Sequence, residues 1–135
     1  MSTMRIAHVA VRVDDIKEAR DFYEGILGFT EVRTDLKNRD HTSCHLTDGH
    51  IDLSLLQYEK GSQSKEALAA GEKPCIHHMG FEVDDLEKGI EELKERGYEI
   101  ITDPGVIPVK FFAPGGTVAE IAPTGRFLKD AQEKG

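Results

Sequence analysis

The chain repeats itself. Residues 8–16 read His-Val-Ala-Val-Arg-Val-Asp-Asp-Ile and residues 78–86 read His-Met-Gly-Phe-Glu-Val-Asp-Asp-Leu, aligned without a gap at an offset of 70 residues. In each copy a histidine opens a strand-like run, an Asp-Asp pair closes it, and a helix-like pattern follows. At 135 residues the chain has the length of one domain that can bury its own core. Two copies of one unit, each offering a histidine from the same point of a strand, predict a paired metal site.

The periodicity assigns faces. In the strand expected over Arg5–Val13, Val9, Val11 and Val13 point one way and His8, Ala10 and Arg12 the other. The valines require a core, so the His8 face lines something else. Asp14 or Asp15 then caps a helix whose stripe is Ile16, Ala19, Phe22, Tyr23 and Leu27. Short strands follow at Phe29–Arg33, His41–Leu46 and His50–Tyr58, with Asp48-Gly49 as a hairpin turn. His41, Ser43 and His45 oppose Cys44 and Leu46, and His50, Asp52 and Ser54 oppose Ile51, Leu53 and Leu55. The second unit repeats this order. Ile76–Val83 is a strand with Met79, Phe81 and Val83 on the core face, joined there by His77, and with His78, Gly80 and Glu82 opposite. Asp84 has capping-box spacing to Glu87, Leu86, Ile90 and Leu93 form the helical stripe, and strands follow at Tyr98–Thr102, Ile107–Ala113 and Thr117–Ala122. The fold class is α+β: two tandem β-α-β-β-β modules, each with one sheet face on its helix and the other, polar face turned to a cavity or a partner sheet. Module one runs over about 5–58, a linker over 59–75, module two over about 76–123, and a polar tail over 124–135. Within the linker, Gly61 to Pro74 is polar and glycine-containing, with at most one helical turn around Lys65–Ala70.

Charge and cysteine content exclude some functions. Twenty-five acidic against 17 basic residues give a net charge of −8, which argues against a broad nucleic-acid surface. Cys44 and Cys75 lie far apart with no Cys-x-x-Cys and read as reduced thiols, compatible with a cytoplasmic protein. No apolar run reaches membrane-spanning length and no signal-peptide pattern opens the chain.

Several stretches together resemble the vicinal oxygen chelate superfamily of glyoxalases, epimerases, extradiol dioxygenases and bleomycin-binding proteins. They are Ile6-Ala7-His8-Val9-Ala10-Val11, Asp21-Phe22-Tyr23 before Leu27-Gly28-Phe29, Ile76 through Asp85, and Gly116-Thr117-Val118-Ala119-Glu120-Ile121. The resemblance implies that the two modules form one curled mixed sheet around a metal cavity, where the first and fourth strands of each supply ligands to one divalent metal (Zn, Ni, Co, Mn or Fe): His8, Asp52, His78 and Glu120. Glyoxalase- and epimerase-like members place Glu or Gln where this chain has Asp52. Being one methylene shorter, Asp52 would ligate directly, ligate through water or act as a base. His45 and Ser43 are candidates for contacting a small-molecule substrate, and Lys110 for meeting an anionic one. His50 reads as a rim residue. Relatives often carry acids at the last hairpin, where this chain has Ala113-Pro114-Gly115-Gly116; proline and glycine still supply the turn.

Two imidazoles and one or two carboxylates bind a first-row metal and leave positions for two adjacent substrate oxygens. The metal makes a C–H next to a carbonyl acidic, and a carboxylate (Glu120 or Asp52) takes the proton. The resulting expectation is a glyoxalase- or epimerase-type isomerase or lyase, and the resemblance adds a homodimer. One alternative uses His8, His78 and Glu120 as the two-histidine, one-carboxylate triad of an iron-dependent ring-cleaving dioxygenase. Another is a non-catalytic binder of small ligands such as antibiotics.

Overall fold

The computed structural model describes residues 1–127, so most of the polar tail expected over 124–135 lies outside the described residues. The elements run β1 (Thr3–Arg12), α1 (Ile16–Gly25), β2 (Thr30–Asn38), β3 (His41–Thr47), β4 (Asp52–Tyr58), α2 (Lys65–Leu68), β5 (Cys75–Val83), α3 (Leu86–Glu95), β6 (Val109–Phe112) and β7 (Val118–Pro123). Seven strands form one mixed sheet in the order β2-β3-β4-β1-β5-β7-β6, with β2 and β6 as open edges. The modules meet at the centre, where β1 and β5 pair antiparallel; each flanks the last strand of its own module in parallel.

One face of the curled sheet carries the two main helices. Val9, Val11, Ile16, Ala19, Tyr23 and Phe29 pack on Cys44, Leu46, Leu53 and Leu55. Leu86, Ile90 and Leu93 pack on Val83, Val109, Phe111 and Ile121. These are the expected apolar stripes, and their burial drives each helix onto its half of the sheet. Asp15 caps α1 through the backbone N–H groups of Lys17 and Glu18, and Asp85 caps α3 through that of Lys88. The second cap therefore sits one residue beyond the expected Asp84, whose carboxylate instead accepts from the Ser2 N–H at 2.6 Å. Both thiols are free, and no described helix is long and apolar enough to cross a membrane.

Two expected strands are shortened. Tyr98–Thr102 contributes a single bridge from Ile100 to Phe111, and Ile107–Ala113 becomes Val109–Phe112. Pro108 has no N–H to donate, so this ladder cannot extend past Val109.

Irregular pairing at the centre matters more. Along β1 and β5, Ile6 faces Phe81 and His8 faces Gly80, so Ala7 is an extra residue in β1; Ala10 faces His78 and Val11 faces Ile76, so His77 is an extra residue in β5. The two bulges sit at the same point of the repeat. Each breaks the two-residue period and turns a further side chain toward the face away from the helices.

The linker is docked rather than loose. Its α2 is the single expected turn, capped by Ser64, and Ala67 is fully buried. Arg12 donates to the carbonyls of Ala67 and Gly71. The hydroxyls of Ser62 and Ser64 both donate to Asp40 at the β2–β3 hairpin. Burial alone would raise the Asp40 carboxyl, but these hydroxyls outweigh it and hold it at about 2. Its folded value lies below the ordinary 3.8, so its stabilising contribution is present above that value and is lost as pH falls toward about 2. Replacing Asp40 by Ala is expected to speed amide hydrogen exchange across residues 61–71 about tenfold at neutral pH, the scale of one hydrogen bond to a charged group. Unchanged exchange in that segment would show that Asp40 does not hold the linker.

Candidate metal centre

The face of the sheet away from α1 and α3 encloses a cavity of about 190 Å³. His8, Asp52, His78 and Glu120 line it, as do Ser43, His45 and Lys110. All seven candidates named from sequence therefore reach one space. His50 is exposed and does not line it; its carbonyl accepts from Arg5 at 2.6 Å.

Strand register brings the donors together. His8 on β1 faces Asp52 on β4 and Gly80 on β5, while Gly80 in turn faces Glu120 on β7. The Nε2 atoms of His8 and His78 lie 3.2 Å apart. Glu120 Oε1 is 3.2 Å from His8 Nε2 and 3.4 Å from His78 Nε2. All three side chains are at most 5% exposed. Among the described residues these three form the group whose ligand atoms lie within 4.8 Å of one another.

Asp52 is not a corner of that group. Its Oδ2 meets the other ring nitrogen of His8, Nδ1, at 2.6 Å, and the Nδ1 of His45 sits 3.0 Å from Oδ1. Burial would raise this carboxyl, but the hydrogen bonds from His45 and His8 hold it far below the usual carboxylate range. An ionised carboxylate only accepts, so the Nδ1 of His8 carries the proton.

His78 is fixed by a different chain. The Nε2 of His77 lies 2.7 Å from the carbonyl oxygen of Glu66, and its Nδ1 lies 2.7 Å from the Nδ1 of His78. This corrects the expectation that His77 shares the helix-side face with Met79. The β5 bulge places it beside His78 instead, 1% exposed. Burial and the neighbouring His78 push the His77 imidazole down to about 4, so it is neutral at neutral pH. A carbonyl cannot donate, so His77 has its single proton on Nε2 and accepts at Nδ1 from the Nδ1–H of His78. Burial also lowers His78. Its Nε2 is then a lone pair turned toward His8 and Glu120.

A nitrogen lone pair, a second imidazole nitrogen and a carboxylate oxygen thus crowd one buried point. They repel unless something positive lies among them, a proton or a cation. Metal–nitrogen and metal–oxygen bonds of about 2.0–2.2 Å would separate neighbouring donors by roughly 3.0–3.5 Å, which matches the spacing found. The residues present therefore fit a divalent first-row ion. Burial would raise Glu120, but the neighbouring His78 and His8 imidazoles and the Lys110 ammonium keep it well below its ordinary range. Its Oε2 has the Lys110 ammonium at 3.1 Å yet no aligned hydrogen bond. Lys110 also meets Glu66 at 2.8 Å; burial would lower its pKa, but the two carboxylates raise it.

Some of the surroundings were not foreseen. The ring of Phe127 stacks on His8 with centroids 4.6 Å apart and planes 8° from parallel. Neither Phe111 nor Phe112 lines the cavity: Phe111 enters the core, and Phe127 supplies an aromatic wall from beyond β7. Its backbone N–H donates to the buried Glu82, which also pairs with Arg5. Glu66 comes from the linker, which carried no chemical motif.

Gly80 leaves the room His8 and Phe127 occupy. A Cβ there would lie 2.9 Å from His8 Cβ and 3.0 Å from Phe127 Cζ. Gly80→Ala is expected to destabilise the chain by about 1–3 kcal/mol through overpacking, measured by urea unfolding. Wild-type stability would show that His8 and Phe127 are not wedged by this glycine.

Residues 5–122 match the profile of the Glyoxalase/Bleomycin resistance protein/Dioxygenase superfamily. A mitochondrial methylmalonyl-CoA epimerase from Bos taurus is 32% identical, aligned over 87% of this chain and 73% of its own length. A probable chloroplastic lactoylglutathione lyase from Arabidopsis thaliana is also 32% identical, over 78% of this chain but only 29% of its own. Among solved structures, a methylmalonyl-CoA epimerase variant from Streptomyces coelicolor in complex with 2-nitronate-propionyl-CoA superposes with a TM-score of 0.73 at 18% identity. It covers 93% of this chain and 98% of that one, and shares the fold.

Proposed function

The chain belongs to the Glyoxalase/Bleomycin resistance protein/Dioxygenase superfamily, and from that premise we propose that it is a metal-dependent isomerase or lyase acting on a small, oxygen-chelating substrate by removing a proton next to a carbonyl. The observation that carries the reading is the convergence of His8 Nε2, His78 Nε2 and Glu120 Oε1 on one buried point, each imidazole held from behind. A divalent ion bound there would supply charge withdrawal from a substrate carbonyl.

The chain's own residues divide the remaining work. Asp52 fixes the ring and tautomer of His8, since both its oxygens are engaged by imidazoles. That leaves Glu120 as the carboxylate to move the proton: its Oε2 lacks an aligned hydrogen bond, and Lys110 beside it favours the ionised form. Arg33, Arg39 and Lys110 join His41 and His45 around the cavity, which suits a substrate bearing a carboxylate. The cavity of about 190 Å³ is below the usual few hundred Å³ of a whole-ligand pocket, so it takes the reacting end and leaves any carrier group outside. The bovine relative's name makes methylmalonyl-CoA the first substrate to try.

The protein is expected to purify with about one Zn, Ni, Co or Mn per chain, read by plasma mass spectrometry. The loaded protein should incorporate deuterium next to the carbonyl of methylmalonyl-CoA in heavy water. Glu120→Gln should slow that exchange at least a hundredfold, the usual scale for a lost general base. Absence of any metal after loading with these ions would sink the reading.

Asp52→Asn separates the two carboxylates. It is expected to weaken metal affinity about 10- to 100-fold, as lost outer partners of metal-bound histidines do, while the fully loaded variant still exchanges the proton. If the loaded variant binds metal normally but exchanges nothing, Asp52 is the base. The same displacement of Asp52 favours one second reading. Without it the donors are two histidines and one carboxylate, the set of iron-dependent oxygenases. Iron in the purified protein and oxygen uptake with catechols would select that chemistry.

A further inference from the structure

We infer that His77 is a positioning residue for His78: it holds the metal-facing imidazole in the Nδ1–H tautomer and ties the site to the linker. The inference rests on the metal-centre reading above. His77 carries no donor toward the three-residue cluster, and both its ring nitrogens are engaged elsewhere. Its Nε2 ends at a backbone carbonyl, so the direction of the whole chain is set. The proton of His77 goes to Glu66 O, the proton of His78 goes to His77 Nδ1, and the lone pair of His78 Nε2 is left for the site. The rings meet edge to face, with centroids 5.0 Å apart and planes at 80°. A flip of the His77 ring would put carbon atoms where Nδ1 and Nε2 now face His78 and Glu66, and both hydrogen bonds would be lost.

The device belongs to this half of the repeat alone. The position equivalent to His77 in module one is Ala7, which packs on Ala122 and Phe127 and offers no hydrogen bond from its side chain. There His8 is held by the Asp52 carboxylate instead. One metal-facing imidazole therefore leans on a charged acceptor within its own module. The other leans on a neutral imidazole whose anchor is α2. The anchor is firm, since the Glu66 side chain meets Lys110 at 2.8 Å and Arg39 at 3.1 Å, and Ala67 is buried. A linker with no ligand of its own thus sets how well His78 is presented.

The test uses the full chain, stripped of metal and titrated with Zn²⁺ against a chromophoric chelator, with histidine tautomers read from nitrogen-15 NMR. Wild type should bind one Zn²⁺, and before metal is added His78 should show a proton on Nδ1. His77→Phe should lose roughly 10- to 100-fold in Zn²⁺ affinity, the range for outer partners of ligating histidines, and its His78 should show mixed tautomers. His77→Gln should recover most of the affinity, because its amide can both accept from His78 and donate to Glu66. Wild-type affinity in His77→Phe, or an Nε2 proton on His78 in metal-free wild type, would overturn the inference. If wild type binds no Zn²⁺ but His78 has its proton on Nδ1, the metal reading fails and the tautomer assignment stands, so the two fail separately. Should His77→Phe not fold, the wild-type NMR and the His77→Gln titration still decide.

Discussion

Everything at this site depends on the antiparallel pairing of β1 with β5. That pairing sets His8 beside Gly80 and Ala10 beside His78, so each histidine stands next to a residue too small to fill the space between them. Each central strand also carries the last strand of its own module, which delivers Asp52 next to His8 and Glu120 next to Gly80. The two long helices, α1 and α3, lie on the other face of the sheet. Their role is to bury the valine, leucine and isoleucine face, which leaves polar residues no choice but the other side. A register slip of one residue would send both histidines into the helix-side cores, so the apolar stripes of α1 and α3 indirectly aim the two imidazoles.

Burying this many ionisable groups is costly unless each is answered. Glu82 is answered by Arg5 and the Phe127 N–H, and Asp52 by two imidazoles. Glu66 is answered by Lys110 and Arg39. Glu120 is the exception: it shares Lys110 and faces two imidazole nitrogens across 3.2–3.4 Å, with one oxygen lacking an aligned hydrogen bond. Unequal satisfaction among these carboxylates suits a preorganised ion site. The donors are fixed by partners behind them, and the deficit lies where a charge would enter.

The repeat and its two-residue period carried much of this arrangement. Val9 and Val11 against His8, Leu53 and Leu55 against Asp52, and Cys44 and Leu46 against Ser43 and His45 all sort onto the faces their alternation assigns. Alternation does not sort Glu120, because β7 is buried on both faces from Val118 to Ala122, and a strand covered on both sides does not alternate. His77 was misplaced for a different reason. Period-two reasoning assumes an unbroken ladder, and a bulge is a property of two strands together, invisible in one. Glu66 and Phe127 were missed because their positions come from contacts far along the chain. One is set by a linker seated through Arg12 and Asp40, the other by a segment tied to Glu82. The strand expected at Tyr98–Thr102 is reduced to one bridge, from Ile100 to Phe111, and Pro108 stops that pairing from running on past Val109.

The length of one side chain decides what kind of centre this is. Position 52 faces His8 directly across β4 and β1. Of the two ring nitrogens, Nδ1 is nearer the backbone and Nε2 farther out. A carboxylate on aspartate's single methylene reaches the near nitrogen and stops there, 2.6 Å from Nδ1. Glutamate or glutamine at the same place would carry its oxygen one carbon farther, toward the level of Nε2 and the cluster. Aspartate therefore converts a would-be fourth donor into a brace for the first. An ion held by His8, His78 and Glu120 alone keeps more of its coordination sphere for substrate oxygens than one held by four protein donors. The methylene missing at Asp52 thus bears on chemistry as much as on packing: it stiffens the histidine beside it and would leave a position free at an ion bound there.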